Sequence, residues 1–166
     1  NNFANKWLEI DTLLVHNLTE SALNKVNLLY TNAEKDPTQQ IKALIYRLGL
    51  EERTKETSID TTILLLNDAL AKAKEPAIQA ILHTLIAKKY YDYFSAHRWQ
   101  FYNRSTTIGV NKKAIETWSA TDFFTAINYH YQVALQSAET LKSISLNEFN
   151  LRQQSFSNIN RIGSIL

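Results

Sequence analysis

Four histidines, His16, His83, His97 and His130, are the residues of this chain best suited to hold a metal or move a proton. A two-histidine metal site on one helix needs its ligands three or four residues apart, because only that spacing stacks them on one face. No two of the four are so spaced, and none sits in a His-Glu-x-x-His motif. His97 follows Asp92 by five residues, which is a different helical face. Each histidine therefore reads as a core or partly exposed side chain, and no metal is expected. Cysteine is absent, which removes disulfides, thiolate nucleophiles and cysteine metal sites. Glu51, Glu52 and Glu56 surround Arg53 and Lys55 and read as a solvated linker. The three glycines lie too far apart to build a phosphate-cradling loop. No serine occupies a Gly-x-Ser-x-Gly turn. These residues lead us to expect a chain that is not an enzyme and carries no cofactor.

The densest aromatic tract runs Tyr90-Tyr91-Asp92-Tyr93-Phe94-Ser95-Ala96-His97-Arg98-Trp99-Gln100-Phe101-Tyr102-Asn103-Arg104. Aromatic faces with interleaved arginines stack on bases, on sugars or on another protein's arginines. The same rings at helical spacing fill a core and pin the following loop, and the spacing favours that role. An interaction surface built from the tract would use Tyr91, Arg98, Trp99 and Arg104. No lysine run accompanies them, and Lys+Arg 18 against Asp+Glu 16 leaves a net charge of only +2. A nucleic-acid partner is therefore not expected. Asn17-Leu18-Thr19 and Asn103-Arg104-Ser105 match a glycosylation triplet that occurs by chance in most chains.

These residues must be positioned by helices. The chain has 45% hydrophobic residues but only three glycines and two prolines, too little turn punctuation for a β-sandwich or barrel. Apolar spacing predicts six helices. The first covers about Phe3 to His16, and the second covers Glu20 to Lys35 after a Thr19 cap. The third follows Asp36-Pro37 with Ile41, Leu44, Ile45 and Leu48 inside, and Gly49 disturbs its end. Glu51 to Thr57 is expected to be a loop. Ser58 or Asp60 caps a fourth helix through Lys74. Glu75-Pro76 opens the longest helix, Ala77 to about Phe101, whose wide apolar arc marks it as central. After a polar connection over Arg104 to Thr117, Ser119 or Thr121 caps a sixth helix to about Ala138. Its buried face is expected to carry Phe124, Ile127, Tyr131, Ala134 and Ala138.

Lys35-Asp36-Pro37 with Gln40 recurs as Lys74-Glu75-Pro76 with Gln79, each copy closing one helix and opening the next. The expected fold is all-α: antiparallel helix pairs in a tetratricopeptide-like short solenoid or right-angled bundle. We expect a helical-repeat domain over 1–142. A short C-terminal helix docked by Leu146, Phe149 and Phe156, with a partly flexible tail, is expected over 143–166. The longest apolar run, Ile63 to Leu66, is far too short to span a membrane. The chain starts at Asn1 and holds no methionine, which leads us to expect a segment of a longer protein.

Several phrases carry a family resemblance. Leu82-His83-Thr84-Leu85-Ile86-Ala87, Tyr90-Tyr91, Arg98-Trp99-Gln100-Phe101-Tyr102 and Asn103-Arg104-Ser105-Thr106 resemble the N-terminal helical region of large Bacteroidetes alpha-2-macroglobulin-family proteins. So do Gln40-Ile41-Lys42-Ala43-Leu44-Ile45-Tyr46-Arg47-Leu48, Ile115-Glu116-Thr117-Trp118 ahead of His130-Tyr131, and Trp7 followed by Ser21-Ala22-Leu23. The resemblance extends to about Phe149 and consists of structural phrases. It implies a large exported, periplasmic or envelope-associated protein whose later domains trap proteases, with a tetratricopeptide-like helical domain ahead of them. Many members carry a Cys-x-x-Gln thioester, chemistry that a chain without cysteine does not hold. Asp11-Thr12-Leu13 matches the acceptor pattern of Bacteroidetes periplasmic O-glycosylation, but it falls inside the expected first helix, which argues against its use. The implied role is a non-catalytic scaffold or interaction domain. Its partners would be other domains of the same long chain or another envelope protein, with no direct membrane insertion by this segment. The alternative is a free-standing helical-repeat adaptor or glycan-binding module.

Overall fold

The computed structural model describes residues 2–54, 58–102, 104 and 114–136. Among them the chain is all-α: six α-helices and one short 3-10 turn, with no strand. Consecutive helices pack in pairs, and the chain divides into two compact units. The expected C-terminal helix and tail lie outside the described residues, as does Ala138.

The first unit contains α1 (Asn2–Val15), α2 (Thr19–Asn32) and α3 (Pro37–Thr54). Asn17 adopts a left-handed backbone, φ 57°, and ends α1. The Asn17 N–H bonds back to the Leu14 carbonyl and the Leu18 N–H to the Leu13 carbonyl, at 3.1 and 2.9 Å. This double closure satisfies carbonyls that a helix end would otherwise leave open. The turn is so tight that Leu18 occupies the cap position, without a side-chain bond, and Thr19 is already helical. The expected Thr19 cap is corrected accordingly. Thr12 lies on the exposed side of α1, its hydroxyl donating to the Leu8 carbonyl.

Asp36 stops α2 and opens α3: its carboxylate accepts the Gln39 N–H at 3.1 Å. Pro37 follows as the first helical residue, where a missing N–H costs nothing. The helix then runs through Gly49 to Thr54, beyond its expected end. Leu50 is fully buried, Arg47 bonds Glu51 at 2.9 Å, and the Thr54 hydroxyl bonds the Leu50 carbonyl. These contacts hold the last turn, so Glu51 to Thr54 are helix rather than loop. Trp7, Ile10, Val26, Leu29, Tyr46 and Leu50 form the centre of this unit's core. The Trp7 indole N–H donates to the Gln39 side-chain oxygen at 2.7 Å, and its ring lies 4.8 Å from that of Tyr46. The buried Lys42 ammonium sits 4.2 Å over the Trp7 ring. Burial pushes its pKa down, against the opposing attraction of Asp11.

The second unit contains α4 (Ile59–Lys72), α5 (Pro76–Phe101), η1 (Ile115–Thr117) and α6 (Ala120–Gln136). Ser58 caps α4 by accepting the Thr61 N–H. Pro76 opens α5 as Pro37 opens α3, and the Gln79 amide reaches back to the Ala73 carbonyl at 2.9 Å. The repeated Lys-acidic-Pro phrase thus does the same work twice, joining α2 to α3 and α4 to α5. α5 is the central helix of its unit, packed by α4 and by α6. Ser119 caps α6, as expected. The buried residues of α6, however, are Phe123, Ile127 and Ala134, while Phe124 and Tyr131 are exposed. The expected face is therefore turned by one residue at its start.

Candidate functional site

The site grows from the last turns of α5. Phe94 and Phe101 point inward and meet Phe123 of α6 with ring centroids 5.5 and 4.7 Å apart. Trp118, just after η1, packs on Tyr90 at 5.0 Å and on Phe123 at 5.1 Å. Such a ring cluster supplies large apolar area with fixed geometry. It anchors the end of α5 and the start of α6 against each other.

Within that anchor α5 bends. His97 has φ −119° and ψ 16°, outside the helical range, and its Nδ1 lies 3.0 Å from the Tyr93 carbonyl. A carbonyl only accepts, so Nδ1 carries the proton, and in the neutral ring the lone pair is on Nε2. The side chain thus takes up a carbonyl that the helix ladder normally uses, a recognised cause of kinks. Its ring also rests on that of Tyr93 at 4.5 Å.

Beyond the kink, Arg104 donates its N–H to the Phe101 carbonyl at 3.2 Å. Its guanidinium lies 5.3 Å over the Phe101 ring and donates to the Glu116 carbonyl. The Ile115 N–H is held by the Asp60 carboxylate at 3.3 Å, fixing η1 to the start of α4. The result is a broad open hollow of ≈ 750 Å³ lined by Tyr93, His97, Gln100, Arg104, Glu116 and Thr117. Burial, then the negative charges of Glu116 and Asp60, raise the Tyr93 pKa, with Arg104 opposing. Tyr90 is raised by burial and by Asp60. Both phenols stay protonated at neutral pH and serve as hydrogen-bonding groups. The lining residues of the hollow therefore carry a guanidinium, an amide, two hydroxyls, an imidazole and a carboxylate, a set suited to polar recognition.

Of the four residues expected to form a surface, only Arg104 lines this hollow. Tyr91, Arg98 and Trp99 are exposed on α5 and do not line it, Trp99 being 72% exposed. Tyr102 is 63% exposed and extends the same end of the helix, its ring 5.8 Å from Phe94. The tract is thus divided: Tyr90, Phe94 and Phe101 belong to the core, and Tyr91, Arg98, Trp99 and Tyr102 to the surface. Tyr93 and Gln100 lie in the aromatic tract, but neither is among its expected surface residues, and Glu116 and Thr117 carry no binding signal in the sequence, because η1 meets α5 only in the fold.

A second feature escaped the sequence altogether. His83 of α5 and His130 of α6 stand with their Nδ1 atoms 2.8 Å apart. Residues 47 positions apart leave no local signal of such a pair. Among the described residues no third His, Cys, Asp or Glu joins them in a group that could hold a metal. Comparison of the chain with known protein families, with curated proteins and with solved structures finds no match.

Proposed function

We propose that this chain is a non-catalytic helical scaffold that binds a protein partner through the exposed end of α5. The carrying observation is Trp99, 72% exposed on a helix whose buried side is already packed by Phe94 and Phe101. Tryptophan, tyrosine and arginine are the side chains that most often dominate binding energy at interfaces. Trp99, Tyr102 and Arg98 bring all three types to one end of a well-anchored helix. A rigid platform binds with less ordering cost than a mobile one. The repeated Lys-acidic-Pro junctions support a tetratricopeptide-like plan of helix pairs.

The sequence resemblance supports the wider setting: an interaction domain of a large envelope protein of the alpha-2-macroglobulin type, placed in the periplasm. Its partners there are other domains of the same long chain or another envelope protein. Arg98→Ala with Trp99→Ala tests the surface role. The double variant is expected to keep its helical circular dichroism and its unfolding midpoint, and to lose binding to the remaining domains of the parent protein. Unfolding of the variant, or undiminished binding, overturns it. The coding sequence after Leu166 tests the setting, where macroglobulin domains are expected and a nearby stop codon would leave a free-standing adaptor.

A further inference from the structure

We propose that His83 and His130 form an acid-sensitive clasp, which holds the His130 end of α6 to α5 at neutral pH and releases it on acidification. The two rings come from different helices and meet Nδ1 to Nδ1 at 2.8 Å, with centroids 5.0 Å apart. A bond between two imidazole nitrogens needs one N–H and one lone pair, so one ring donates through Nδ1 and the other accepts there. The pair accommodates a single extra proton, on Nε2 of the donating ring. A second proton must go to the accepting Nδ1. That removes the hydrogen bond and leaves two cations within contact distance in a partly buried site.

Among the described residues no opposite charge faces the pair. From α5 the neighbouring titratable group is Tyr90, 6.1 Å from the His130 ring, and from α6 it is Tyr129, 6.3 Å from the His83 ring. Phenols are neutral throughout the acid range. From α4 the Asp60 carboxylate acts on Tyr90 and Tyr93. From η1, Glu116 acts on Tyr93, further along α5. Among the described residues no carboxylate contributes to either histidine. Burial lowers the pKa of His83, and burial together with His83 lowers that of His130 to about 4.

The sign follows from proton counting. Both folded-state values lie below the ordinary histidine value of 6.5, so the unfolded or opened chain binds more protons as the pH falls below it. Stability contributed by the clasp is complete above about 6.5 and is lost progressively towards 4. The other end of the same helix pair is fastened by Phe94, Phe101 and Phe123, none of which titrates. Release is therefore local, freeing the later turns of α6 and the early turns of α5.

Imidazole NMR of the full chain from pH 8 to 4 reads the pair directly, with hydrogen exchange at pH 7 and 4.5 reading the opening. Both histidines are expected to titrate below the ordinary histidine value of 6.5, His130 at about 4. Protection factors over residues 127–136 should fall about tenfold or more on acidification, with those around Phe123 falling less. In His130→Leu or His83→Asn the acid-dependent part of that loss should shrink, because the pair repulsion is gone and only the burial of the remaining ring still opposes its charge. Titration of both rings at or above 6.5 overturns the proposal even if neither variant folds. So does a uniform loss of protection along α6, or an unchanged loss in folded variants.

Discussion

Ser119 and Asp122 close a reciprocal cap at the start of α6. The Asp122 carboxylate accepts the Ser119 N–H at 2.9 Å and the Ser119 hydroxyl at 2.7 Å, while the Ser119 oxygen accepts the Asp122 N–H at 3.3 Å. This is the capping-box geometry, with aspartate in place of the usual glutamate. It fixes where the helix begins, and so which of two adjacent phenylalanines turns inward. Ser119→Ala and Asp122→Ala should each lower stability by about 1 kcal/mol. Because they share one network, the double variant should lose less than the two losses added, by a few tenths of a kcal/mol or more. Urea unfolding of the three variants measures this.

The consequence of that register is a pair of neighbours with opposite roles. Phe123 is fully buried against Phe94, Phe101 and Trp118, whereas Phe124 is 43% exposed. Phe123→Ala should cost about 3–5 kcal/mol, the range for deleting a large core ring. Phe124→Ala keeps its contact losses to one face of Phe94 and should cost about 1 kcal/mol or less. A larger loss for Phe124→Ala than for Phe123→Ala in thermal unfolding would mean that the helix sits in the other register.

Those two phenylalanines show how far the sequence could be read. The existence and order of all six helices and the stops at Pro37 and Pro76 follow from short-range rules, and each is present; the same rules leave Ser58 or Asp60 and Ser119 or Thr121 as caps, and the chain uses Ser58 and Ser119. The face of α6 does not. Phe124, Ile127, Tyr131 and Ala134 repeat at three, four and three residues, while Phe123, Ile127, His130 and Ala134 repeat at four, three and four. Both stripes fit a helix. Apolar character favours the one with Tyr131, but the chain turns the one with His130 inward, where the half-buried His130 meets His83 of another helix. The end of α3 departs from its expected place for a related reason. Glu51 to Thr54 look like linker until Leu50 is seen to be fully buried and Arg47 to reach Glu51. In the aromatic tract Tyr90, Phe94, His97 and Phe101 recur at four, three and four residues and keep one inward stripe across the His97 bend, while Tyr91, Trp99 and Tyr102 stay exposed. Aromatic rings crowd both sides, so composition alone does not say which stripe the neighbours of α5 cover.

In the first unit, Lys42 tests how a buried ammonium is tolerated. It lies over Trp7 and is attracted by Asp11, whose own pKa is raised, chiefly by burial, with Lys42 and a Tyr46 hydrogen bond opposing. Taking a charge out of water commonly offsets what its partners return. Lys42→Met keeps the chain length over the indole and should change stability by no more than about 1 kcal/mol in either direction. Its pH signature is clearer. The folded-state pKa of Lys42 is below the ordinary lysine value of 10.5, so the unfolded chain holds its proton to higher pH. Stability of the parent relative to Lys42→Met should therefore rise as pH passes from the lowered value up to about 10.5. A relative fall over that range in paired unfolding curves would reverse the assignment. Trp7→Phe retains a ring near Tyr46 but leaves the Gln39 oxygen without its donor, and should cost about 1–2 kcal/mol.

Gly49 offers the converse, a position where the native residue leaves stability unused. It lies between the buried Leu48 and Leu50 inside α3, and the helix passes through it without a break. Its φ is not in the left-handed range that would require glycine. A Cβ built there meets nothing within 4 Å outside its own helix backbone. Glycine in a helix interior costs roughly 0.5–1 kcal/mol relative to alanine, because its unfolded backbone has more freedom to lose. Among the described residues nothing opposes the added methyl, so the full difference should be recovered. Gly49→Ala is expected to raise the unfolding free energy by about 0.5–1 kcal/mol, seen as a higher Tm with an unchanged urea m-value. A lower Tm would show that α3 needs its glycine for an approach that the free methyl space does not reveal.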